Sequence, residues 1–228
     1  VSPVKAYVDE VTNTARQLDV GFKSLSSSEL AYTFPYFSFP NGVSGVYEHS
    51  TGGYVNPRNL IKAQSKMVMN AKNEILTETV SKIEKIKDFF EVLTESGKKV
   101  RSSQVLVACG VFSEGVIPGG EKLDLEICES TVLLAELTEK NAVQLQQMPS
   151  LVFRHNSEIE KGVYLLPPIR YPDQKIYIKI GHSESRPMLD PATNLTNWFQ
   201  SDGDRVLADW LESQLLDLLP DVSFSNMK

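Results

Sequence analysis

Gln104-Val105-Leu106-Val107-Ala108-Cys109-Gly110 is a short run, apolar from Val105 to Cys109 and closed by a glycine. Apolar residues at successive positions, without period-two alternation, predict a strand buried on both faces, as in a parallel sheet covered by helices. Upstream, Asn56-Pro57 opens a helix, because Asn caps well and Pro suits the first helical position. Leu60, Ile61, Met67, Val68 and Ala71 give that helix one apolar face. Between the two, residues 75–86 alternate in part, and residues 89–94 run into the turn signal Glu95-Ser96-Gly97-Lys98. Nearer the start, Val4, Tyr7, Val8, Val11, Ala15 and Leu18 recur at helical spacing after Pro3. Phe34, Tyr36, Phe37 and Phe39, set among Pro35 and Pro40, cannot form a regular helix and read as an irregular layer packed on a core, with a ligand pocket as the less favoured reading.

Downstream the character changes. Residues 125–137, 150–155, 162–166 and 175–180 are strand candidates separated by turns, which predicts an antiparallel sheet. After Asp204, Val206, Leu207, Trp210, Leu211, Leu215 and Leu218 form an apolar helical stripe that stops at Pro220. The expected fold class is therefore α/β (α+β), with an α/β region over 1–120 and a mainly antiparallel sheet with a C-terminal helix over 121–228.

With 228 residues, 41% of them hydrophobic and 23% charged, the chain has the composition of a folded globular protein. A formal net charge of −6 and the lack of a basic patch argue against nucleic acid or an anionic membrane surface as partner. No apolar segment has the length of a membrane span. Cys109 and Cys128 lie in apolar runs and are expected to be buried free thiols, which implies a reducing, cytoplasmic location.

Gly52-Gly53, Gly110, Gly115 and Gly119-Gly120 do not form the strand, glycine loop and helix that lay backbone N–H groups against a pyrophosphate. No Walker-type lysine loop or catalytic triad is present, and His49, His155 and His182 are too isolated to suggest a metal site.

Three stretches stand out in order. They are Gly52-Gly53-Tyr54-Val55-Asn56-Pro57-Arg58-Asn59-Leu60, Val105-Leu106-Val107-Ala108-Cys109-Gly110-Val111-Phe112-Ser113, and Lys175-Ile176-Tyr177-Ile178-Lys179-Ile180-Gly181-His182 followed by Asp190-Pro191. Taken together they resemble FAD-dependent amine oxidases of the D-amino-acid oxidase superfamily, most of all the monomeric sarcosine oxidase branch. The resemblance runs from about Ala15 to Pro220 and implies a partial FAD-binding layer joined to an antiparallel substrate-domain sheet. It implies FAD as cofactor and a small amine or amino acid as substrate. Lys179 matches the lysine that promotes reaction with oxygen, where a cation stabilises developing negative charge. Val80 falls where the family contacts the adenine moiety through backbone, and Cys109, Gly110 and Phe112 fall where a strand end approaches the cofactor. His182 and Ser183 fall at substrate-contacting positions, although the usual histidine of the family would stand at Ser183. The family's N-terminal glycine loop and closing flavin segment have no counterpart in these residues. The resemblance therefore implies either a portion of such an enzyme, with self-association or a separate flavin-binding half as partner, or a non-catalytic ligand- or protein-binding domain derived from one. Without the resemblance, Lys179 reads as a solvent-facing lysine at a strand edge and His182 as a turn histidine.

Overall fold

The computed structural model describes residues 1–49, 52–120, 122–155, 162–182 and 194–228. In chain order the first elements are helix α1 (Lys5–Gln17), strand β1 (Phe22–Leu25), helix α2 (Ser27–Thr33) and strand β2 (Gly45–Glu48). Next come helix α3 (Pro57–Asn70) and strands β3 (Val80–Ile86), β4 (Phe89–Thr94) and β5 (Lys99–Ser102). The last part contains β6 (Val132–Leu137), α4 (Glu139–Gln144), β7 (Leu151–Arg154), β8 (Gly162–Arg170), β9 (Ile176–His182), α5 (Leu195–Phe199), α6 (Arg205–Leu218) and β10 (Phe224–Met227).

These elements sort into two compact units. One joins Val1–Tyr54 with Cys128–Lys228, and the other is Val55–Ile127. The sequence suggested a linear cut near residue 120, whereas the first unit is discontinuous: its opening segment packs with strands that come much later in the chain.

The discontinuous unit is built on an antiparallel sheet in the order β10-β6-β9-β8-β7. β9 is its middle strand, with Leu134↔Lys179 on one side and Leu166↔Lys179 on the other. Alternation along the strands separates two faces. Leu133, Ala135, Leu137, Val163, Leu165, Ile178 and Ile180 point into a continuous apolar core with Leu207, Leu211, Leu215 and Leu218 of α6. The α6 stripe follows from Asp204, whose carboxylate accepts from the backbone N–H groups of Val206 and Leu207, and the helix ends before Pro220. Phe34 and Phe37 are buried in the same core, as an irregular aromatic layer should be. Helix α2 just before them opens with a capping box in which the Ser26 side chain accepts from the Glu29 backbone N–H and the Glu29 carboxylate accepts from the Ser26 backbone N–H.

In the second unit, α3 starts as the sequence predicts, with Asn56 Oδ1 accepting from the Asn59 N–H at 3.2 Å. Strands β3, β4 and β5 form an antiparallel meander with the turn between β4 and β5 at residues 95–98. Glu91 on β4 anchors it, its side chain 8% exposed, with Lys99 Nζ at 2.8 Å and Arg101 Nε at 3.2 Å.

Two expectations are corrected. The run 104–109 joins no sheet, every strand pair among the described residues is antiparallel, and Leu106 is 91% exposed. Continuous apolarity signals a demand for burial, but burial needs partner strands on both edges, and none is paired with this run among the described residues. Cys109 and Cys128 are likewise exposed free thiols rather than core residues. No helix among the described residues is long and apolar enough to cross a membrane.

Candidate functional site

The sheet face opposite the α6 core carries Val132, Leu134, Tyr164, Leu166, Lys179 and Gly181. Apart from Gly181, which is buried, all of them are half-buried. Lys179 thus stands at the centre of a half-open, largely apolar surface, not at a strand edge. Its ammonium lies 5.8 Å from the centroid of the Tyr164 ring, within cation–π range. Two other lysines near this face are neutralised: Lys175 Nζ meets Glu136 Oε2 at 2.7 Å, and Lys228 Nζ meets Asp173 Oδ2 at 3.1 Å. Among the described residues no carboxylate forms an ion pair with Lys179. The hydrogen bond that Lys175 donates to Glu136 raises its ammonium above its ordinary pKa, and those that Lys228 donates to Tyr177 and Asp173 do the same for Lys228.

His182 belongs to the same strand but, three residues on, faces the other way. It is buried, 6% exposed, and paired with Val163 on the core side. The strand therefore does not bring Lys179 and His182 together on one face. Ser183 lies outside the described residues, as do Asp190 and Pro191.

The remaining candidates belong to the second unit. Val80 is half-buried at the start of β3, paired with Thr94. Cys109 caps a 3-10 turn over Gly110–Gly115 that contains Gly110 and Phe112, with Phe112 46% exposed. Gly110 has a φ of +56°, and a Cβ added there would meet nothing within 4 Å, so the backbone is open to close approach.

A separate cavity of about 570 Å³ in the discontinuous unit is lined by Phe34, Phe37, Phe39, Tyr47, Glu48 and other residues, and Lys179 is not among them. The aromatic layer therefore packs the core with one side and lines this cavity with the other. Tyr164 and Gly181 were not singled out individually by sequence reasoning; the available signal was the two-residue step from Lys179 to Gly181, which puts both on one face.

A family model described as FAD dependent oxidoreductase (DAO) matches residues 4–227. The chain belongs to this family. The DAO match accords with solved structures of similar fold. NikD, described as an unusual amino acid oxidase essential for nikkomycin biosynthesis, is 18% identical in its Tyr258Phe form with a TM-score of 0.72, covering 96% of this chain and 55% of that one. Glycine oxidase from Bacillus cereus ATCC 14579 is 14% identical with a TM-score of 0.65, covering 98% of this chain and 55% of that one. Iminodiacetate oxidase (IdaA) from Chelativorans sp. BNC1 is 13% identical with a TM-score of 0.58, covering 100% and 57%. At these identities the likeness is one of fold, and the DAO chain described here spans a little over half the length of those structures. No curated protein sequence matches it.

Proposed function

We propose that this DAO-family chain forms the substrate-domain sheet and part of the cofactor-binding layer of an FAD-dependent oxidoreductase acting on the C–N bond of a small amine or amino acid. Bound FAD supplies the two-electron acceptor for that oxidation. The structural neighbours described as amino acid, glycine and iminodiacetate oxidases support the substrate class. One observation carries the reading: Lys179 is a half-buried cation on the central strand, flanked by Leu134 and Leu166, with no carboxylate partner among the described residues. A preorganised cation on an apolar surface stabilises negative charge far better than one already paired or bathed in water. Its task here is to hold positive charge where oxygen is reduced. Val80, Cys109, Gly110 and Phe112 are the residues of this chain that would lie against the cofactor, Gly110 by leaving its backbone uncovered. His182 supports the sheet from the core side, and Ser183 is the substrate-contacting candidate by resemblance.

The test is the rate at which the reduced, FAD-loaded protein reacts with oxygen. Lys179→Met slows it by roughly tenfold or more, the scale of removing one electrostatic stabiliser, while Lys175→Met, which removes an already paired lysine, leaves it unchanged. Equal rates for Lys179→Met and wild type exclude the lysine assignment.

A second reading rests on the aromatic cavity, which suits a small ligand without any flavin: a non-catalytic binding domain derived from a flavoenzyme. Protein that stays colourless in the presence of FAD yet binds a small aromatic molecule would favour it.

A further inference from the structure

Gly181 and Tyr164 are paired residues on β9 and β8. A Cβ built on Gly181 would fall 2.5 Å from the Tyr164 hydroxyl oxygen, 2.6 Å from Cζ and 2.7 Å from Cε1. The tyrosine ring therefore lies down across β9 in the space a side chain at 181 would fill, and this makes Gly181 buried on a face where its neighbours are half-open. Lys179 is the next residue on that face, two positions back, and diagonal neighbours across an antiparallel pair are within reach of an aromatic ring. The ring centroid is 5.8 Å from its ammonium. Lysine carries four rotatable stem bonds, and Leu134 and Leu166 opposite it offer no polar anchor.

Resting on the proposed role of Lys179, we infer that Tyr164 is a positioning residue for it. Gly181 lets the ring lie flat, and the ring face holds the ammonium over the open sheet surface without neutralising it. A carboxylate in the same place would anchor the lysine more tightly but would cancel the charge the reaction uses. A ring quadrupole orients the cation and leaves its charge in place. Lys175 and Lys228, which are held by carboxylates, show the other solution on the same sheet.

The experiment uses the FAD-loaded protein with Tyr164→Leu and Tyr164→Phe, and reads two quantities. The first is the NMR shift of the Lys179 ε-methylene protons, assigned by their absence in Lys179→Met and displaced upfield by a ring beneath them. The second is the rate of oxygen reaction after reduction. Tyr164→Phe keeps both, because the ring and not the hydroxyl holds the lysine. Tyr164→Leu loses the upfield displacement and slows the reaction roughly three- to tenfold, the weight of one cation–π contact. Gly181→Ala, which pushes the ring aside while keeping the tyrosine, reproduces the loss if Tyr164→Leu proves unstable. Persistence of either the shift or the rate in Tyr164→Leu or Gly181→Ala overturns the inference. Lys179→Met separates the two ideas: if it fails to slow the reaction, the lysine assignment falls, and if it does slow it while Tyr164→Leu does not, only the tyrosine inference falls.

Discussion

The Lys228 ammonium donates to the Tyr177 hydroxyl at 2.7 Å, and that hydroxyl in turn donates to Asp173 Oδ2 at 2.8 Å. This small chain of bonds ties the strand β10 end of the molecule to the loop before β9, with Tyr177 only 1% exposed. Tyr177→Phe removes the central link and is expected to lower stability at neutral pH. The Tyr177 hydrogen bond, then Lys228, holds the Asp173 carboxyl below its ordinary pKa. A depressed folded-state value means the contribution is present above the unfolded carboxylate pKa and fades as pH falls through the lower folded value. Urea unfolding of wild type and Tyr177→Phe at neutral and strongly acidic pH should show a gap that narrows in acid. A gap that widens in acid would contradict the assignment.

The α6 seam sets the stability of the discontinuous unit. Leu211 is fully buried, whereas Val206, five residues earlier on another side of the helix, is 80% exposed. Leu211→Ala is expected to destabilise by about 2–5 kcal/mol, and Val206→Ala by no more than about 0.5 kcal/mol. Chemical denaturation curves for the two variants check the difference.

Exposure of both thiols has a direct chemical consequence. Cys109 and Cys128 should react with a thiol-specific chromogenic reagent in native protein, without denaturant. Single Cys→Ser variants assign each reactive equivalent. Thiols that react only after unfolding would mean that both are covered.

Local signals in the sequence carried those parts of the fold that are decided locally. Asn56-Pro57 and Asp204 each begin a helix where their capping chemistry says they should. The apolar run around Ile176–Ile180 becomes the central strand because apolar neighbours surround it on both sides. The capping box of α2 was present in Ser26 and Glu29 but is masked by the proline- and aromatic-rich stretch that follows. Long-range facts were not legible. Strand β10 is short and half polar, Phe-Ser-Asn-Met, and exists because Phe224 and Met227 find β6. Val105 to Cys109 looks like a buried strand by composition, yet its surroundings are decided by residues elsewhere. The candidate site divides in the same way. Lys179 is singled out by its motif, while the lack of a carboxylate partner among the described residues and the ring of Tyr164 beside it depend on cross-strand register, which no local window contains.

C–N oxidation of a small amine or amino acid with FAD is the function proposed for this chain. Mixing the FAD-loaded protein with a panel of small amines and amino acids, without oxygen, tests it most directly. At least one of them should bleach the visible flavin band, and admitting oxygen should restore it. A flavin band that no amine or amino acid bleaches, although FAD is bound and a chemical reductant bleaches it, would rule out amine oxidation as the function.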